Sequence, residues 1–172
     1  MDSSDSKQLK KQKSEPILVQ NAFQREYYNN KYASHIIPGL YLGSLIAASD
    51  QSWLKEHKIT HILTVADSIS PPFPGLFKYK VISIRDHPSQ NISRHFEEMF
   101  EFIQSVLDQE DGKILVHCHQ GVSRSASVVI AYIMRSKQVS LDDALKLVKE
   151  KRSAIRFVVD LFFQQLFFNS SI

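Results

Sequence analysis

The chain has 172 residues, 43% of them hydrophobic and 23% charged, which is enough apolar material for one domain with an ordinary core. A net charge of +3 is too weak a field to favour nucleic acid as a partner, and a single cysteine excludes an internal disulfide and any multi-cysteine zinc or iron–sulfur site. No apolar run reaches the ~18 residues of a membrane span, and polar residues follow Met1, so the expectation is a soluble cytoplasmic protein, with the nucleus as a second compartment and no signal peptide.

Residues 1–34 read as a polar lead. Its first part lacks any apolar period and is expected to be disordered, and Lys7, Lys10, Lys11 and Lys13 read as a solvated basic run. Phe23, Tyr27 and Tyr28 have the spacing of one helix face that could dock on the domain. From Ile36 to Gly43 a short strand surrounds a Pro38-Gly39 turn, and Leu45–His57 reads as a short helix. Ile59–Ala66 is an apolar, buried strand, and the prolines of Ser70–Gly75 make a loop. Lys78–Ile84 alternates like a strand, and Arg85–Ile92 is a second loop. Ser93 is positioned to cap a helix through Phe96, Met99, Phe100, Ile103 and Leu107. After an Asp111-Gly112 turn, Lys113–His117 is a buried strand. Arg124 to about Lys137 is apolar around most of its circumference, so it is a central helix, and Ser140 to Asp143 opens another with a capping box. Strands alternating with helices predict an α/β fold: a central, mostly parallel mixed sheet of four to five strands flanked by helices.

The informative stretch is His117 to Ser125, between the buried strand and the central helix. Open α/β sheets bind ligands outside the carboxyl ends of their strands, and a helix N-terminus offers unpaired N–H groups to an anion. A loop from Cys118 to Arg124 can curl around one centre. Gly121 relieves steric conflict where the chain turns, and the amides of His119, Gln120, Gly121, Val122 and Ser123 converge on the bound group. The Arg124 guanidinium closes the cradle with two parallel donors, which suits a phosphate. The same positive potential favours a thiolate at Cys118, aimed at a bound phosphorus. Ser125 can donate its hydroxyl to the sulfur, and His117 is expected to brace the loop rather than react. Ser123 reads equally well as a helix cap and as a loop-stabilising residue. Arginine is 7 of 172 residues, so one six places after a given cysteine arises by chance about once in 25, and the flanking His117, Gly121 and Ser125 make coincidence remote.

This segment resembles the Cys-x5-Arg signature of the protein tyrosine phosphatases, in particular the dual-specificity class. Pro38–Ser44, Thr60–Ala66 and Ala131–Met134 resemble the same family, and the likeness runs from about Ile36 to Arg152. The resemblance implies a small, atypical dual-specificity phosphatase domain over residues 35–172, with an atypical C-terminal segment from about residue 156. It implies hydrolysis of phosphotyrosine and phosphoserine or phosphothreonine in proteins through a phospho-cysteine intermediate, with no metal and no cofactor. Phosphorylated proteins are the implied partners, MAP kinases among them at family level, with neither nucleic acid nor membrane involved. The family carries a general acid on a loop after an upstream strand. Ile82–Pro88 matches that loop and makes Asp86 the acid; Asp67 is the competing candidate. The signature loop lacks the lysines of phosphoinositide phosphatases. The chain departs from the family after Arg152, where a Pro-Asn turn that supports the loop from behind is missing. Three rival readings remain: a catalytically impaired phosphoprotein-binding module on the same fold, a metal site at His117 and His119, and a rhodanese or arsenate reductase loop.

Overall fold

The computed structural model describes residues 32–87 and 90–156. The lysine cluster, the Phe23–Tyr28 face and the segment after residue 156 lie outside the described residues. Five strands form one sheet: β1 (Ala33–Ile37), β2 (Leu40–Ser44), β3 (His61–Val65), β4 (Lys78–Ile82) and β5 (Ile114–Cys118), in the order β1-β2-β5-β3-β4. β1 is antiparallel to β2, whereas β2–β5, β5–β3 and β3–β4 are parallel. This is the mostly parallel mixed sheet that the alternation of elements predicts.

Strand β5 is central, and all five of its residues are buried. Its side chains alternate between the two faces of the sheet. Ile114 and Val116 pack with Leu40, Leu42, Leu63 and Val65 under three helices, α3 (Phe96–Leu107), α4 (Arg124–Lys137) and α5 (Leu141–Lys151). Leu115 and Ile62 face the other way, toward Ala47 and Ala48 of α1 (Leu45–Ala48) and Leu54 of α2 (Gln51–Glu56). Covering both faces explains why β3 and β5 read as apolar runs rather than as alternating ones. Burying one Val, Leu or Ile side chain is worth roughly 1.5–3 kcal/mol, so the larger three-helix face carries most of the packing energy. Helix α4 is buried at every position from Arg124 to Ile133, as its all-round apolar pattern predicts. On the smaller face, Trp53 stacks on His57 with ring centroids 4.1 Å apart, and Tyr41 meets both edge-on. Among the described residues no helix is long and apolar enough to cross a membrane.

Several local features differ from the sequence expectation, each for an identifiable reason. The Ile36–Gly43 segment is two antiparallel strands, because Gly39 at φ +79° reverses the chain between them. A Cβ at Gly39 would sit 2.7 Å from Leu107 Cδ2. The single helix expected over Leu45–His57 breaks into α1 and α2, because Asp50 leaves the helix and accepts the Trp53 N–H at 3.0 Å as a new cap. Ser93 caps nothing: Asn91 accepts its N–H at 3.1 Å and opens a 3₁₀ turn over Ile92–His95, and α3 begins after it at Phe96. At α5 the Ser140 hydroxyl accepts the Asp143 N–H at 3.2 Å and donates to its carboxylate at 2.7 Å, one half of the expected box. Strand β5 ends one residue later than expected, so Cys118 is its last residue.

Candidate active site

The loop after β5 lies where the sheet puts it, between the carboxyl end of a central parallel strand and the buried helix α4. Four of its successive carbonyls are held from outside. His119 O accepts the Leu45 N–H at 3.0 Å, and Val122 O accepts the Arg156 N–H at 2.8 Å. Gly121 O and Gln120 O accept from the Arg152 guanidinium, through Nε at 2.8 Å and Nη2 at 3.2 Å. In a trans peptide the C=O and the following N–H point in opposite directions. Carbonyls turned outward therefore turn the N–H groups of Gln120, Gly121, Val122 and Ser123 toward the centre of the loop. One of these is seen directly, since the Gly121 N–H donates to Cys118 Sγ at 3.2 Å.

Gly121 makes this curl possible. It sits at φ +69°, and a Cβ there would lie 2.3 Å from Gly43 O of β2. Cys118 is 2% exposed, and its sulfur also accepts the Ser125 hydroxyl at 3.2 Å. Ser123 does not cap α4 with its side chain; its carbonyl accepts the Ser127 N–H instead, at 2.8 Å. His119 and Gln120 are exposed on the loop rim, whereas Val122 and Ser123 are half-buried. His117 and His119 part company, the first buried under the sheet and the second in solvent, and among the described residues no three metal-ligating side chains cluster. The His117 ring meets Thr64 Oγ1 through Nε2 at 2.8 Å and the Cys118 carbonyl through Nδ1 at 3.3 Å. Burial depresses its pKa to about 4, against a smaller opposing pull from the Cys118 carbonyl.

Arg124, 5% exposed, joins three loops. Its Nη1 donates to Ile84 O at 2.8 Å and lies 3.6 Å from Asp67 Oδ1, and its Nη2 lies 3.4 Å from Asp86 Oδ2. Both aspartates weighed in the sequence thus reach one guanidinium. Asp67 follows β3 by two residues and Asp86 follows β4 by four, so the carboxyl ends of neighbouring parallel strands converge on the loop after β5. Arg124 Nε is buried without a hydrogen-bond partner, a costly condition that an acceptor in the cradle would relieve.

Arg152 is the functional residue that sequence reasoning did not single out. It is fully buried, and burial lowers its pKa to about 10 while the charge at Cys118 pulls the other way. In sequence it is the last charge of an amphipathic helix, indistinguishable from its exposed neighbours Lys149 and Lys151. Together with the Arg156 N–H it supports the loop from behind, the role for which the departure from the family turn after Arg152 had left no residue.

Residues 40–170 match the family model described as dual specificity phosphatase, catalytic domain. The chain belongs to the dual specificity phosphatase family. It is 48% identical over 120 residues to dual specificity protein phosphatase 19 of Mus musculus, covering 70% of this chain and 54% of that one. It is 46% identical over 120 residues to MAP kinase phosphatase with leucine-rich repeats protein 1 of Dictyostelium discoideum, covering 70% of this chain and 14% of that one. The chain therefore spans about half of the first of these relatives and a small part of the second. The crystal structure of the human tyrosine phosphatase-like serine/threonine/tyrosine-interacting protein superposes with a TM-score of 0.74 at 37% identity, over 81% of this chain and 97% of that one. The mixed five-stranded sheet with flanking helices is thus the fold of this phosphatase family.

Proposed function

We propose that the chain hydrolyses phosphotyrosine and phosphoserine or phosphothreonine in proteins through a phospho-cysteine intermediate, with Cys118, Arg124, Asp86 and Ser125 as catalytic residues. The observation that carries this reading is the environment of one sulfur: Cys118 Sγ, buried at the centre of the loop, takes hydrogen bonds from the Gly121 amide and the Ser125 hydroxyl. The loop amides of His119 to Ser123 and the Arg124 guanidinium bind the phosphoryl oxygens, where preorganised donors act on developing charge. The thiolate attacks phosphorus as the bond to the leaving oxygen breaks, and Asp86 in its acid form gives that oxygen a proton. Water then attacks phosphorus and yields its proton to the Asp86 carboxylate. The S–P bond breaks, and the Ser125 hydroxyl stabilises the departing thiolate. His117 holds the loop from the strand side. MAP kinases are the substrates to test first, on the strength of the name of the Dictyostelium relative.

The test is hydrolysis of p-nitrophenyl phosphate and of doubly phosphorylated peptides in the presence of EDTA. Turnover is expected for the wild type, with a phosphorylated protein adduct trapped by mass spectrometry at low pH, and Cys118→Ser reduces turnover to the buffer rate. Activity that Cys118→Ser retains, or that EDTA removes, overturns the proposal. A second reading is a phosphoprotein-binding module, favoured by the likeness to the human tyrosine phosphatase-like serine/threonine/tyrosine-interacting protein. It predicts phosphopeptide binding by the wild type without release of phosphate.

A further inference from the structure

Thr64 and His117 are direct partners in the parallel register of β3 and β5, so their side chains leave the same face of the sheet. Both are 1% exposed, and Thr64 Oγ1 lies 2.8 Å from His117 Nε2. The other ring nitrogen, Nδ1, lies 3.3 Å from the carbonyl of Cys118, the first residue of the loop. A carbonyl oxygen only accepts, so the proton of this pair belongs to Nδ1. Burial holds the ring neutral over the working range, with its pKa at about 4. A neutral imidazole has one N–H, and with that on Nδ1 the Nε2 atom is a lone pair. The Thr64 hydroxyl must then be the donor. Each of these two contacts then has one chemically consistent direction, and both follow from the Cys118 carbonyl, which can only accept.

We propose that Thr64 is a positioning residue: its hydroxyl donates to Nε2, ties the His117 imidazole to β3 and so holds the Cys118 peptide where the loop begins. The effect on turnover rests on the phosphatase reading above, but the tautomer assignment does not. Without the donor, the Nε2 lone pair is buried unpaired and the ring loses its tie to β3, which lets the peptide that carries the nucleophile shift. Other charges face this corner and set the background for any pH dependence. They are Arg124 from α4, with Asp67 and Asp86 beside it, Arg152 from the end of α5, and His119 on the loop.

The test compares wild type, Thr64→Ser and Thr64→Val. The first readout is the ¹⁵N chemical shifts of His117, which distinguish the two neutral tautomers. The second is the ratio of iodoacetate capture of Cys118 at pH 6 to that at pH 8. The third is kcat and KM on a phosphotyrosine peptide. Wild type and Thr64→Ser are expected to show Nδ1–H and to agree within a factor of two in the rest. Thr64→Val is expected to keep Nδ1–H with a displaced Nε2 shift, and to show a lower capture ratio and a kcat reduced about tenfold at nearly constant KM, as befits one buried polar atom left unpaired. An Nε2–H tautomer in the wild type overturns the inference, as does a Thr64→Val protein with wild-type kcat and capture ratio. Should the valine variant fail to fold, the wild-type spectrum and the serine variant still decide it. If the wild type releases no phosphate, the catalytic reading falls while the ¹⁵N assignment stands or fails separately.

Discussion

Two sides meet at the Arg124 guanidinium, and they are built differently. On the loop side, Cys118, Ser125 and Arg152 are buried, and four consecutive carbonyls are bonded to donors from α1, from the end of α5 and from Arg156. On the aspartate side, the Asp67 side chain is 39% exposed and that of Asp86 61%. The contrast matches two chemical tasks. A group that binds a dianion and a transition state gains from donors fixed in advance and from excluded water. A group that surrenders a proton and takes one back each cycle gains from contact with solvent. The proposed roles would thus fall to separate sides, a phosphate to the fixed and buried loop and the proton exchange to the open aspartates, with Arg124 touching both.

The largest expected effect breaks the aspartate side. Asp86→Asn is expected to lower kcat by about 10²–10⁴-fold on an alkyl phosphate and to remove the basic limb of the pH–rate profile, the scale of a lost general acid. Asp67→Asn is expected to change kcat several-fold at most and to leave the limb in place. If the two variants exchange these behaviours, the proton donor is Asp67, and the loop after β3 takes over the role. The next effect breaks the cradle from behind. Arg152→Met removes two charge-assisted hydrogen bonds to loop carbonyls and is expected to cost about 4 kcal/mol of stability in urea denaturation. An unchanged midpoint would mean that the Arg156 contact and the strand end alone hold the loop.

The smallest effect sharpens the comparison through pH. The His117 pKa is depressed to about 4 by burial, below the ~6.5 of an exposed histidine. Between these values the unfolded chain binds a proton that the native chain refuses. Stability contributed by the neutral ring is therefore full above pH 6.5 and is lost progressively down to pH 4, in total about 3 kcal/mol. Urea midpoints at pH 7.0 and 4.5 measure this, and His117→Asn is expected to flatten the difference. An equally steep fall in the variant would assign the acid sensitivity to other groups.

The order of the main elements was legible because hydrophobic periodicity reports burial, and in this fold burial is nearly continuous along β3, β5 and α4. Helix α4 has the expected limits, Arg124 and Lys137. The errors fell where local polar groups decide between neighbouring conformations. Asp50 and Asn91 each captured an amide and moved a helix start, a competition that apolar spacing does not register. In the site, the consecutive residues Cys118 to Ser125 were legible because one loop carries them. Asp86 was legible as the acid through its likeness to the family loop, with Asp67 as competitor, but that both reach Arg124 was not, since sequence gives the strand each follows and not the order β5-β3-β4 that brings their ends together. Thr64 and Arg152 were hidden for a different reason. Their roles depend on partners 53 and 31 positions away, reached through strand register and helix packing.

The indole of Trp53 lies face to face with the His57 imidazole, on the side of the sheet opposite the three-helix layer. It is the only tryptophan in the chain. Emission excited at long wavelength thus comes from one address on the α1–α2 face. Unfolding of that face is expected to change the signal, while loop rearrangements at Cys118 leave it unchanged. The protein accordingly carries an intrinsic optical probe that separates loss of fold from loss of the nucleophile without any label.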